Sequence, residues 1–89
     1  MRLVMTLLVR DEEDILEANI RFHLSRGVDF IIAMDNLSVD ATPDILRRFE
    51  RQGVLRSLRQ EDDDYNQSAW VTAMSDLART EHGADWVIC

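Results

Sequence analysis

The hydrophobic period of this chain changes repeatedly and in a regular order, and this alternation restricts its fold more than any other feature. Continuous apolar runs, typical of strands covered on both faces, alternate with segments whose apolar residues recur at helical spacing. The resulting order is β-α-β-α-β-α-β. Because crossovers between parallel strands are right-handed, such a chain forms a parallel, doubly wound sheet. We therefore predict an α/β fold with three layers: helix, sheet and helix.

Four strands and three helices follow from this pattern. The predicted strands are Leu3–Val9, Phe30–Met34, Val54–Leu58 and Trp86–Cys89, and the predicted helices run from about Glu12 to Arg26, from Thr42 to just before Gly53 and from Asn66 to about Glu81. Each of the three glycines follows a helix and precedes a strand, where glycine commonly ends a helix. None lies in a strand-to-helix turn, so the sequence lacks the GxGxxG loop of ordinary NAD-binding sheets.

Particular positions carry structural predictions of their own. The apolar face of the first helix is predicted to comprise Ile15, Leu16, Asn19, Ile20, His23 and Leu24. The hydroxyl of Thr42 is predicted to cap the second helix, with Pro43 at its first position. Trp70 and Trp86 are predicted to lie in the core rather than to stack on bases.

The charge of the chain excludes several classes of function. Its net charge is −7, and all ten basic residues are arginine. An acidic chain of this kind is a poor general binder of nucleic acid, because phosphates require a basic face. The lack of lysine excludes Schiff-base chemistry and the lysine of Walker-type or kinase-type phosphate sites.

Cysteine content and hydropathy indicate the cellular setting. The one cysteine, Cys89, excludes an internal disulfide and favours a cytoplasmic location. No apolar run approaches the roughly 20 residues of a membrane helix, and no secretory signal precedes the first strand. Because the sequence stops within its fourth predicted strand, we expect these 89 residues to be the N-terminal part of a longer protein.

Polar residues follow the predicted strands at the edge where open α/β sheets bind ligands. Arg10 either reaches a phosphate or base there, or pairs with a neighbouring surface acid. Asp35 and Asn36 either bind a ribose hydroxyl or base N–H, or form a turn with their own backbone. Gln67 lies with Asn66 at the start of the third helix, where backbone N–H groups either hold a phosphate or are simply capped.

Other polar groups are assigned structural roles. Ser38 and Asp40 are expected to cap or lead into the second helix, and the acidic run Glu61–Asp64 is expected to be a solvated loop rather than a cation site. His23 is interpreted as a partly buried, satisfied side chain and His82 as a residue at a helix C-terminus. The sequence shows no Ser/His/Asp or Cys/His set and no zinc spacing.

Three segments carry a family resemblance: Leu7–Ile15 (LLVRDEEDI), Ile32–Asp40 (IAMDNLSVD) and Asp85–Cys89 (DWVIC). In this order they resemble the inverting GT-A glycosyltransferases of family 2, closest to the bacterial group related to the DUF23 type. The resemblance spans essentially the whole chain, with Asp11 at a position where asparagine is commoner. It implies the N-terminal nucleotide-binding part of a GT-A domain with strand order 3-2-1-4.

The resemblance also implies a function. The whole enzyme would transfer a sugar, with inversion, from a nucleotide-diphosphate sugar to an unknown acceptor. Carried over by position, the nucleotide-binding residues are Arg10, Glu12, Asp35, Asn36 and Gln67. The metal-binding DxD motif of the family is missing and would follow Cys89, so the Mn²⁺ or Mg²⁺ ion expected for the whole enzyme lacks its ligands here. We therefore expect this part to be inactive alone, and its unpaired fourth strand to favour a homodimer through the exposed sheet edge.

Two other classes of protein remain as alternatives. A non-catalytic α/β binding module would keep the sheet without the chemistry. A receiver-type signalling domain also begins with a strand, acids and a helix, but it needs an aspartate after the third strand and a lysine near the fifth. Here the third strand leads into Arg59 and Gln60, and lysine is lacking.

Overall fold

The computed structural model describes residues 1–61 and 67–88, with only the backbone of Gln67 described. Its elements are β1 (Leu3–Val9), α1 (Leu16–Ser25), β2 (Phe30–Asn36), α2 (Thr42–Arg51), β3 (Leu55–Gln60), α3 (Gln67–Thr80) and β4 (Trp86–Ile88). The fold is α/β, as predicted, and the four strands form one parallel sheet in the order β3-β2-β1-β4. The predicted strand order is therefore confirmed.

Side-chain alternation along the strands divides the core into two clusters. On one side of β2, Ile31 and Ala33 pack with Leu16 and Ile20 of α1 and with apolar residues of α2. On the other side, the intervening residues of β2 pack with α3. That second cluster consists of Val4, Phe30, Ile32, Met34, Trp70, Met74 and Ala78. Both faces of β2 are thus covered, which explains the continuous apolar run in its sequence.

The three glycines end helices as predicted. Gly27, Gly53 and Gly83 have φ values of +108°, +80° and +63°. L-residues with a side chain rarely adopt this conformation, whereas glycine adopts it without a steric penalty. The chain can therefore turn sharply after each helix and enter the next strand at the amino-terminal edge of the sheet.

Several predicted details are wrong. Trp86 is 60% exposed and Ile15 is 56% exposed, so neither belongs to the core. Helix α1 begins at Leu16 rather than near Glu12. The Thr42 hydroxyl does not cap α2; it accepts a hydrogen bond from the backbone N–H of Glu12 at 2.9 Å.

The structure also extends two strands beyond their predicted ends. Strand β2 continues through Asp35 and Asn36, and β3 continues to Gln60. This moves the polar residues of the predicted turn into the sheet itself. Within the described residues, no helix has the length and apolar character needed to cross a membrane.

Candidate functional site

The loops after β1 and β2 are joined by hydrogen bonds at the carboxyl edge of the sheet. The N–H of Asp11 donates to Ser38 Oγ at 2.9 Å, and Asp11 Oδ1 accepts from the N–H of Val39 at 2.7 Å. Glu13 donates its N–H to Asp40 Oδ2 at 3.1 Å and accepts from the N–H of Ala41 at 3.0 Å. These paired bonds hold the two loops as one unit, and Ser38 supports the first loop instead of capping α2.

Asp40 completes the N-terminus of α2, as predicted. Its Oδ1 accepts a hydrogen bond from the backbone N–H of Thr42 at 2.8 Å. Partial burial raises the pKa of Asp40, but hydrogen bonds from Thr42 and the Glu13 backbone outweigh it, so the pKa lies below its ordinary value of 3.8. The carboxylate is therefore ionised at neutral pH and is already engaged by backbone donors.

Asp35 lies on the side of the sheet that α2 covers. It is 3% exposed, and its Oδ2 accepts from Arg59 Nη1 at 2.6 Å. Asp35 and Arg59 are register partners on neighbouring strands, which places the two side chains next to each other. Asp35 Oδ1 is buried and has no hydrogen-bond partner among the described residues. A buried carboxylate oxygen without a partner lacks the compensation that burial normally requires.

A cavity of about 480 Å³ opens beside this ion pair, between α2 and the end of β3. Its lining includes Asp35 and Arg59, three further charged residues and a few apolar side chains. These residues are Asp35, Asp40, Pro43, Asp44, Leu46, Arg47, Ser57, Leu58 and Arg59. The side chain of Arg59 is 44% exposed, so it can move without disturbing the core. A ligand in this cavity would meet both an acceptor and a donor.

Asn36 faces the opposite side of the sheet from Asp35, because neighbouring residues of a strand alternate. Its Oδ1 lies 3.5 Å from Arg10 Nη1, and its Nδ2 donates to the carbonyl oxygen of Gln60 at 3.2 Å. Arg10 is exposed. The structure therefore brings Arg10 and Asn36 together at the end of β1, as a group separate from Asp35.

The two remaining predicted residues lie at the edges of this region. Glu12 is half-buried in the turn before α1, and its backbone rather than its side chain supplies the observed hydrogen bonds. Gln67 is the first residue of α3, and its side chain is outside the described part of the structure. Asn66 and most of the acidic run, for which predictions were made, also lie outside the described residues. Of that run, Glu61 is described, and its Oε1 lies 3.5 Å from Arg59 Nε.

Sequence reasoning missed Arg59 as a partner of the site. The residue was noted at the end of the third strand, but its contact with Asp35 depends on the register between β2 and β3. Asp11 was likewise missed as the residue that joins the two loops. A positive φ of +50° at Asp11 is visible only in the structure, although Asp and Asn tolerate this conformation better than most residues.

These observations define a parallel α/β domain with a polar site at the carboxyl edge of its sheet. Comparisons with protein-family models, with curated proteins and with solved structures give no match to this chain. Among the described residues, no three His, Cys, Asp or Glu side chains form a group that could hold a metal ion. The function is therefore argued from the site itself.

Proposed function

We propose that this chain is the nucleotide-binding part of an inverting glycosyltransferase of the GT-A, family 2-like type. In this proposal the whole enzyme transfers a sugar from a nucleotide-diphosphate sugar, and the nucleoside occupies the cavity beside Asp35. The observation that carries the proposal is the buried Asp35 carboxylate, which has one oxygen on Arg59 and the other without a partner among the described residues. The resemblance in the sequence supplies the reaction class.

The chemistry of Asp35 and Arg59 complements the edge of a nucleobase. A carboxylate accepts hydrogen bonds and a guanidinium donates them. Uracil and guanine each present a ring N–H beside a carbonyl oxygen, which complements this arrangement. Adenine and cytosine present an amino N–H beside an unprotonated ring nitrogen, which also supplies one donor and one acceptor, so Asp35 and Arg59 do not by themselves select one base.

Binding at Asp35 requires a small local change. Asp35 Oδ1 is fully buried, and the half-exposed Arg59 side chain lies over the same carboxylate. In the proposal, Arg59 swings from Asp35 toward the acceptor atom of the base, and the released carboxylate turns so that its unpartnered oxygen accepts from the base N–H. The exchange replaces one charge-assisted hydrogen bond with two hydrogen bonds to the ligand.

The diphosphate is assigned to the opposite side of the strand ends. Arg10 is exposed beside Asn36, and its planar guanidinium suits a phosphate. Gln67 opens α3, and N-terminal backbone N–H groups of a helix favour an anion. Glu12 does not line the cavity, and its proposed place at the nucleoside rests on the sequence resemblance; the joined loops fix its backbone.

The divalent cation of the family does not fit the described residues. Of the other two aspartates that line the cavity, Asp40 is already bonded to two backbone N–H groups and Asp44 is paired with Arg47. We therefore derive no step that uses a metal within this part of the chain. The proposal places the Mn²⁺ or Mg²⁺ ligands after Cys89, and with them the residues that would act on the acceptor.

Nucleotide titration followed by two-dimensional NMR tests the proposal, since this method detects the weak binding expected of a partial site. UDP and GDP should shift the backbone signals of Asp35, Arg59 and Gln60, whereas inorganic pyrophosphate, which lacks a base, should shift them much less. Asp35→Asn should weaken UDP binding at least tenfold. Asp76→Asn removes the same charge from an exposed position on α3 and should leave binding unchanged. Circular dichroism checks that both variants fold.

Two outcomes would contradict the proposal. The nucleoside assignment is wrong if no nucleotide shifts the Asp35 region, or if Asp35→Asn binds UDP as tightly as the unmodified chain. Retained UDP binding without sugar transfer, in a longer chain that continues beyond Cys89, would favour the non-catalytic binding module. A receiver-type domain is not proposed, because β3 ends in Arg59 and Gln60 where that class requires an aspartate.

A homodimer through the sheet edge remains a prediction. Strand β4 lies at the edge of the sheet, and Trp86 on it is 60% exposed. Exposed edge strands of this kind pair readily with another chain. Light scattering as a function of protein concentration measures the oligomeric state directly, and a monomer at all concentrations would contradict the dimer.

A further inference from the structure

His82 follows α3 and contacts residues at the amino-terminal ends of β1, β2 and β3. Its ring stacks on Phe30 of β2, with centroids 4.6 Å apart and planes at 22°. Its Nε2 lies 3.4 Å from Arg56 Nη1 of β3. Its backbone carbonyl accepts a hydrogen bond from Arg2 Nε at 2.6 Å. One residue therefore links the turn after α3 to the start of β1, β2 and β3.

The charges around the ring favour the neutral form of His82. The charged groups that face it are Arg56 from β3, Arg2 from the start of β1 and the preceding Glu81, whereas β2 contributes the uncharged Phe30. Burial and the positive charges of Arg56 and Arg2 lower the pKa of His82 below its ordinary 6.5, although Glu81 opposes them. Geometry gives the same answer, because a neutral Nε2 accepts from Arg56 and a protonated one cannot.

The same residues hold the first turn of β4. The backbone N–H groups of Asp85 and Trp86 donate to the carbonyl oxygen of Arg2 at 2.9 Å and 3.2 Å. The N–H of Arg2 donates in return to Asp85 Oδ2 at 2.7 Å. Since Arg2 also holds the carbonyl of His82, a displacement of His82 acts directly on the attachment of β4.

We propose that His82 is an acid-sensitive latch that holds β4 against β1. In neutral solution its ring accepts from Arg56 and its carbonyl accepts from Arg2, which fixes the turn between α3 and β4. Protonation places a cation against Arg56, so the turn moves away and β4, only three residues long, separates from β1. Apart from Phe30, on which His82 stacks, the buried core residues of β2 pack on α1, α2 and α3, so the core around β2 remains folded.

The sign of the pH dependence follows from linkage. The open state binds the proton more readily than the closed state, so the open state gains population as the pH falls below 6.5. If the pKa of His82 is one unit lower in the closed state than in the open state, the equilibrium constant for opening rises at most about tenfold between neutral and acidic pH. Above that pH both states are neutral and opening becomes independent of pH.

Amide hydrogen exchange between pH 5 and pH 7.5 tests the latch. After correction for intrinsic exchange rates, the protection of Trp86, whose N–H donates to Arg2, and of Ile88, the next amide on that side of β4, should fall as the solution becomes acidic. The protection of Ile32 in β2 should stay constant. His82→Gln should abolish the change at β4. His23→Gln, whose parent ring contacts the Asn19 carbonyl within α1, should behave like the unmodified chain.

Three results would overturn the proposal. One is constant protection at β4 across this pH range, and another is the same acid effect in His82→Gln. The third is an equal loss of protection at Ile32, which would show general unfolding. If His82→Gln does not fold, NMR titration of the His82 ring decides instead: the latch requires a pKa below 6.5 and β4 signals that move with the same titration.

Discussion

Two residues at the carboxyl edge of the sheet adopt a left-handed backbone conformation that is uncommon outside glycine. Asp11 has a φ of +50° and Leu37 has a φ of +57°, and they stand in the two loops that hydrogen bonds join. Such backbone strain persists where surrounding contacts fix it, and it concentrates at ligand sites. At residue scale, Asp11 is the side chain that most clearly maintains the loop geometry.

Substitutions at Asp11 should separate its hydrogen bond from its charge. Asp11→Ala should lower the free energy of unfolding by about 1 kcal/mol, because the N–H of Val39 loses its acceptor and alanine is strained at positive φ. Asp11→Asn should cost much less, since asparagine keeps an acceptor oxygen and tolerates this conformation. Urea denaturation measures both changes. Equal losses in the two variants would show that the charge, rather than the hydrogen bond, holds the loops.

At the scale of elements, the two tryptophans show how layer packing decides burial. Trp70 of α3 is 7% exposed and packs against the β2 face of the sheet, whereas Trp86 of β4 is 60% exposed. On β4, alternation directs Val87 toward the α3 cluster and Trp86 toward the opposite face. No described element covers Trp86 there. Large apolar residues stabilise the fold only where another element packs on them.

Matched substitutions of the two tryptophans test this difference. Trp70→Ala should lower the free energy of unfolding by about 3–5 kcal/mol, because it removes a buried ring and leaves a cavity. Trp86→Ala should change it by about 0.5 kcal/mol or less, as expected for an exposed side chain away from the core. Thermal and urea unfolding supply both values. Similar losses in the two variants would mean that Trp86 is covered in solution.

Local sequence patterns predicted the elements but not the contacts between them. The alternation of periods and the helix-ending glycines suffice for the parallel sheet and its element order, because both are properties of short segments. The core position predicted for Trp86 is wrong since its burial depends on a second layer. Thr42 was predicted to cap α2, yet its hydroxyl bonds to Glu12, a contact 30 residues away in sequence.

The candidate site shows the same limit. Polar residues at the strand ends indicated Asp35 and Asn36, and the structure does place both at the carboxyl edge. Because β2 continues through them, they face opposite sides of the sheet rather than one shared pocket. The ion pair between Asp35 and Arg59 depends on the register of β2 and β3, which no pattern within either strand specifies.

Across the molecule as a whole, acidic residues outnumber basic ones, and some of the acids form ion pairs with arginines that connect different elements. Glu17 of α1 contacts Arg48 of α2, at 2.5 Å, and Arg21 of its own helix, at 3.0 Å. Hydrogen bonds and positive charge from Arg48, followed by those from Arg21, lower the pKa of Glu17 below its ordinary 4.5. Backbone and side-chain donors lower the pKa of Asp40 as well. Both groups therefore link the packing of the elements to pH.

The stability of the chain should fall in acid through these two carboxylates. A carboxylate whose pKa is lower in the folded state stabilises the fold above its unfolded pKa, and that contribution is lost as the pH decreases. The free energy of unfolding should therefore decrease as the pH falls below about 4.5 for Glu17 and below about 3.8 for Asp40. Glu17→Gln should flatten the first part of this decrease, whereas Asp14→Asn, an exposed acid in the turn before α1, should not.

Salt distinguishes the two contributions. The Glu17 contacts are exposed ion pairs, so 1 M NaCl, where the screening length is about 3 Å, should reduce the effect of Glu17→Gln. The hydrogen bonds that Asp40 accepts from the Thr42 and Glu13 backbone are short-range and should persist, so Asp40→Asn should flatten the decrease below pH 3.8 at both salt concentrations. Urea unfolding between pH 3 and pH 7, at low and high salt, measures these effects. If the free energy of unfolding decreases with pH equally in Glu17→Gln and in the unmodified chain, the ion pair between Glu17 of α1 and Arg48 of α2 does not contribute to stability.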